Sequence, residues 1–101
     1  MAEYTIKIDV VLFNKGKFQK QTSFYREVEE ACVPRCGESF IFCGEKHAIN
    51  DVRHAYSFGV VYTEVELEPV WSESSKDYEE KLEFMEHVAG MSPVALGARK
   101  E

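Results

Sequence analysis

Polar and apolar residues alternate along residues 4–13, with Tyr4, Ile6, Ile8, Val10 and Leu12 on one side and Thr5, Lys7 and Asp9 on the other. A period of two predicts a half-buried β-strand, because successive strand side chains point to opposite faces. Val11 and Phe13 break the polar side near the end of this strand, where a second layer would cover the sheet. Asn14-Lys15-Gly16-Lys17 predicts a hairpin turn, and residues 18–28 form the returning strand. Residues 29–38 make the next corner, where Pro34 restricts the backbone and Gly37 permits positive φ. A short strand follows over 39–43 with Phe40 and Phe42 on one side, and Gly44-Glu45-Lys46 turns it into a fourth strand over 47–56. There Ile49, Val52, His54 and Tyr56 change phase once around Asn50-Asp51, which predicts a β-bulge and leaves His54 on the apolar row. Ser57-Phe58-Gly59 reverses the chain. The fifth strand, 60–68, alternates Val61, Thr63, Val65 and Leu67 against Tyr62, Glu64, Glu66 and Glu68, a glutamate row that faces water and guards an edge. Pro69 ends it.

The period then changes to 3.6. Ser74 is a good N-cap, Asp77 lies in the first turn and Gly90 is a natural stop, so a helix is expected over 75–89. At about 100° per residue, Tyr78, Leu82, Met85 and Ala89 share one stripe, while Glu79, Glu80, Glu83 and Glu86 hold the opposite face. Phe84 and Val88 lie beside the stripe and Met91 continues that flank. The apolar sector spans about half the circumference, wider than the ~100° a single contact needs. One reading is a helix sunk into its own sheet. The sharper one is that the Phe84, Val88 and Met91 flank meets a second subunit. The tail, 91–101, is either frayed or docked on a neighbour. These elements predict a single α+β domain over 1–101: a curved antiparallel β-meander of about five strands with one C-terminal helix packed on it.

Composition narrows the function classes. The apolar fraction of 45% belongs to a globular chain, and no apolar run approaches the roughly twenty residues of a membrane span, so no membrane partner is expected. Residues 59–101 carry four basic and ten acidic residues, which accounts for the whole net charge of −6. An acidic second half repels phosphate backbones and argues against nucleic acid. Lys15, Lys17 and Lys20 make a small basic cluster at a hairpin tip, where solvation explains them. The first residues lack a basic n-region and an apolar h-region, so no signal peptide is expected. An odd number of cysteines points to reduced thiols in the cytoplasm.

The densest chemistry is C-x3-C-x6-C-x3-H, formed by Cys32, Cys36, Cys43 and His47. Four such ligands suit tetrahedral zinc if they converge. The six residues between Cys36 and Cys43 include Phe40-Ile41-Phe42, however, and a strand there complicates convergence. The alternative is cysteine as a small buried hydrophobe, and that reading is preferred. His47, Asp51 and His54 lie close in sequence, yet an extended strand sends Asp51 and His54 to opposite faces. Cys36 beside Arg35 has no identifiable general base, and His87 falls on the polar side of the helix. No phosphate-binding glycine loop, H-E-x-x-H or G-x-S-x-G motif is present. No catalytic residue and no cofactor is assigned.

The run Arg26-Glu27-Val28, then Val33-Pro34-Arg35-Cys36-Gly37-Glu38, Gly44, Val52, His54 and Val65-x-Leu67, resembles a pattern in small uncharacterised bacterial proteins, some of them similar to products of mobile gene cassettes. The resemblance covers about residues 24–67, implies a compact β-meander with a tight corner, and implies no activity. The leading expectation is therefore a cytoplasmic, non-enzymatic interaction module that forms homo-oligomers. A second is a small-molecule-binding protein or minor enzyme with a pocket between sheet and helix, lined by Tyr56, Phe58, Tyr62 and Trp71. A third is the zinc-stabilised domain.

Overall fold

β1 (Ala2–Asn14) forms where its alternation predicts and becomes an interior strand of the sheet, paired along both edges. The computed structural model describes residues 2–42, 44–57 and 59–93. Lys15 and Gly16 both take positive φ, at 54° and 76°, the two-residue turn that matches strand twist. The hairpin continues into β2 (Lys17–Glu30), antiparallel to β1 along its whole length. The chain then crosses through 31–38 to β3 (Ser39–Phe42), β4 (Glu45–Ser57) and β5 (Val60–Leu67). Gly37 sits at φ 88° in that crossing, and its N–H bonds the Ile49 carbonyl at 3.2 Å.

The strand order is β2-β1-β5-β4-β3, and this corrects the meander. A meander leaves the fifth strand at the edge farthest from the first; here β5 returns beside β1 and runs parallel to it, Ile6 opposite Val65. β5 stops at Leu67, just short of Pro69 as expected, but the sheet does not end there. Pairing resumes as β6 (Val70–Ser72), which lies parallel to β1 with Trp71 opposite Val11. β5 and β6 together line one side of β1 while β2 lines the other, so the sheet is mixed and six-stranded. Proline has no amide donor, so the ladder breaks at Glu68-Pro69 and restarts. The predicted bulge is present, a register shift between Ile49 and Asp51.

One face of the sheet is apolar. Tyr4, Ile6, Ile8, Val10 and Leu12 meet Phe24, Ile49, Val65 and Leu67 there, and Tyr78, Met85 and Ala89 cover them from the helix. α1 (Ser75–Glu83) starts as expected, with the Ser74 hydroxyl accepting the Asp77 N–H at 3.1 Å. Its last turn differs from the expected α-helix. Phe84–Val88 is a π-helical turn, in which the Ala89 N–H bonds the Phe84 carbonyl at 2.9 Å. Gly90 then reverses the chain at φ 69°. Met91 turns inward at 3% exposure, which removes it from the flank to which the sequence pattern assigned it. Ser92 joins the outer edge of β2, exchanging backbone hydrogen bonds with Tyr25 at 2.8 and 2.9 Å. The tail therefore begins by docking on its own sheet; residues 94–101 lie outside the described residues.

The other face is polar and open. Glu64 and Glu66 do not guard an edge, because β5 is internal; they pair across strands instead. Arg53 reaches Glu64 at 2.6 Å, Glu66 at 3.3 Å and Asp51 at 3.3 Å, and Lys7 reaches Glu66 at 3.5 Å. Among the described residues no second layer covers Val11 and Phe13. A local aromatic cluster does so, with the Phe13 ring 5.2 Å from Trp71 and 6.1 Å from Phe18.

Candidate functional site

Two concave places stand out, one at the crossing segment and one on the helix. The first is a hollow of about 590 Å³ whose walls come from three parts of the chain: Tyr4 at the start of β1, Glu30 and Cys32 at and just past the end of β2, and Pro34 with residues 37–40 from the crossing into β3. β2 and β3 stand at opposite ends of the strand order, yet both reach this hollow. The sheet is not closed. Tyr4 is buried with its phenol at the hollow's inner wall. Burial, then the charges of Glu30 and Cys32 and a hydrogen bond to Glu30, push that phenol up to about 12. Glu38 is held by its own turn: its carboxylate accepts the Arg35 N–H at 2.5 Å, and its carbonyl accepts the Ile49 N–H at 3.0 Å.

Tyr4 makes stability depend on alkaline pH. Its folded pKa lies above the ordinary tyrosine value of 10.0, so an unfolded chain loses this proton first. The contribution is fully present below pH 10.0 and is lost as pH rises towards about 12. Urea midpoints of wild type and Tyr4→Phe, measured across that window, should show the gap between them shifting against wild type with rising pH; parallel curves would contradict the shift.

The second place is a shallow hollow of about 310 Å³ on the helix, lined by Phe84, Val88, Glu80, Glu83 and His87. Phe84 is 40% exposed and Val88 69%, whereas the stripe residues Tyr78, Met85 and Ala89 are buried and Leu82 is half-buried.

The residues expected to line a pocket are not brought together. The parallel ladders set Glu64 opposite Thr5 and Trp71 opposite Val11. Tyr62 and Trp71 are thus separated by roughly eight strand positions, about 26 Å at ~3.3 Å per residue. Tyr56 is 74% exposed, and Trp71 packs on Phe13 on the open face rather than under the helix. Phe58 lies outside the described residues. Parity along a strand shows which face a side chain takes but not its distance from a residue in another strand, so this set could not be tested by pattern.

The cysteines also depart from expectation. Cys32 and Cys36 are exposed free thiols rather than core residues, because the crossing segment runs over the sheet's end. The Cys36 thiol donates to the Asn50 carbonyl at 3.0 Å. His47 is buried in β4 opposite Phe40, and Cys43 lies outside the described residues. Among the described residues no three His, Cys, Asp or Glu side chains converge as a metal site. His54 is exposed and bonds Thr63 Oγ1 at 2.9 Å, where a half-buried position was expected; its face continues the apolar row beyond the edge of the core. Asp51 pairs with Arg53 on the face opposite His54, so Asp51 and His54 do not form an acid–base pair. His87 is exposed, as its place on the wheel predicts.

No family model matches the chain, and no curated protein or solved structure matches it significantly. No helix among the described residues is long and apolar enough to cross a membrane.

The hollow beneath Tyr4 was missed by sequence reasoning as a set. The one available signal was a corner, 29–38, with acidic residues at both ends and a proline and a glycine between them.

Proposed function

We propose that the protein is a small, non-enzymatic interaction module of the cytoplasm that self-associates through the helix flank carrying Phe84 and Val88. The observation that carries this reading is the pair of large apolar side chains left in water on the π-helical turn, next to a stripe that the sheet covers. Single π-turns are rare and are found disproportionately at functional positions. An isologous contact needs a self-complementary patch. This one has two apolar residues one turn apart and a rim with both a base, His87, and the acids Glu80 and Glu83. The free thiols Cys32 and Cys36 suit a reducing compartment.

Light scattering on the wild type should give a mass above that of the 11.6 kDa chain. Phe84→Glu should be a folded monomer, since a carboxylate buried unpaired in an apolar contact carries a large desolvation cost and in the separated chain returns to water. A monomeric wild type would sink the reading, and so would a Phe84→Glu variant that unfolds outright.

A further inference from the structure

The hollow at the crossing segment goes beyond self-association. Its volume, about 590 Å³, lies within the roughly 300–1,000 Å³ common for small-ligand sites. Its ionisable lining is one-sided: Glu30 and Glu38 contribute carboxylates, and no Lys or Arg is among the lining residues. The apolar part of the wall is the Tyr4 ring, Pro34 and Phe40, of which Tyr4 is seated in the core and Phe40 is packed against it.

We propose that this hollow binds amphipathic primary amines, with the ammonium group between the Glu30 and Glu38 carboxylates and the apolar body on Tyr4, Pro34 and Phe40. An ammonium brings three donors and one positive charge; each carboxylate offers about four acceptor sites, so Glu38 can keep the Arg35 N–H and still accept another. Ser39 adds a hydroxyl to the lining. The Glu38 acceptor is held before a ligand arrives, by the Arg35 N–H on its carboxylate and the Ile49 N–H on its carbonyl, while Glu30 ends a strand whose backbone pairs with Ala2.

The test compares benzylamine, benzyl alcohol and benzoate on the full chain by titration of backbone amide shifts at about pH 7, where the amine is charged. Benzylamine should give saturable shifts confined to residues 30–40 and Tyr4, benzyl alcohol should bind about tenfold more weakly or worse, and benzoate should not bind. Glu30→Gln and Glu38→Gln should each weaken benzylamine about fivefold or more and leave benzyl alcohol unchanged. Glutamine keeps a carbonyl acceptor for the Arg35 N–H, and the amine-to-alcohol ratio on the wild type decides the matter even if a variant loosens the turn. Phe84→Glu should bind benzylamine normally, which separates this site from self-association. Equal binding of amine and alcohol, no saturable shift up to about 20 mM, or normal binding in both glutamine variants would overturn the proposal. Displacement of benzylamine by calcium chloride at matched ionic strength would overturn it too, in favour of a metal site.

Discussion

Ile6→Ala should cost about 2–5 kcal/mol, the range for truncating a buried isoleucine in a core that relaxes only partly. At about 4–8 °C per kcal/mol for a domain of this size, the melting temperature falls by about 8–40 °C. Ile6 is 0% exposed in β1, a strand paired along both edges, opposite Arg26 on β2 and Val65 on β5. Hydrogen-bonded ladders hold β1 on both sides, and the helix end covers this level of the sheet, where the Arg26 guanidinium donates to the Ala89 carbonyl at 3.0 Å. The walls of the resulting cavity therefore have little freedom to collapse. Ile41→Ala is the control: it is the same residue type, also in a strand, but 73% exposed in the short edge strand β3. Its effect should stay within about 0.5 kcal/mol. Calorimetry on the two variants decides it; comparable losses at both sites would mean that β1 is not the buried centre.

Tyr78→Ala should cost about 3–5 kcal/mol and act first on the helix. Tyr78 is the most buried residue of α1, its hydroxyl shares a 2.7 Å hydrogen bond with Thr22 Oγ1, and the Lys20 ammonium lies 5.0 Å from its ring centroid. Removing the ring takes away the anchor that joins the first helical turns to β2. Tyr78→Phe removes only the hydroxyl and should cost about 0.5–1.5 kcal/mol, the net worth of one hydrogen bond. Hydrogen exchange should show α1 amides losing protection in Tyr78→Ala while the β1–β2 ladder stays protected, since a nine-residue helix is marginal without tertiary packing. Equal costs for Ala and Phe would place the energy in the hydroxyl, and uniform loss of protection would mean that helix and sheet unfold as one unit.

Both predictions depend on features with different origins in the chain. The alternation of residues 4–13, the Lys15-Gly16 turn, the positive φ at Gly37, the bulge at Asn50, the Ser74 cap and the stop at Gly90 were all legible, because each is set by residues within a few positions of itself. The buried face of α1 was legible for the same reason: a 3.6 period places Tyr78, Met85 and Ala89 together whatever they pack against. The Phe84 and Val88 flank was recognised as well. The π-turn that carries it was not, since a widened turn has no residue signature here.

Other features depended on the path of the whole chain. A strand has two edges, and the apolar row of β1 reads the same whether one or both are paired. Only the crossing at 31–38 puts β5 and β6 beside it and makes the sheet mixed. That crossing also leaves Cys32 and Cys36 in water, sets Tyr62 and Trp71 far apart, and draws Tyr4, Glu30, Glu38 and Phe40 around one hollow. The docking of Ser92 on β2 carries Met91 into the core in the same way. Local sequence determined which elements form and which side of each is apolar, because backbone conformation and side-chain parity are short-range. Strand partners and the candidate site were decided by tertiary structure, because burial and pairing are summed over residues distant in sequence.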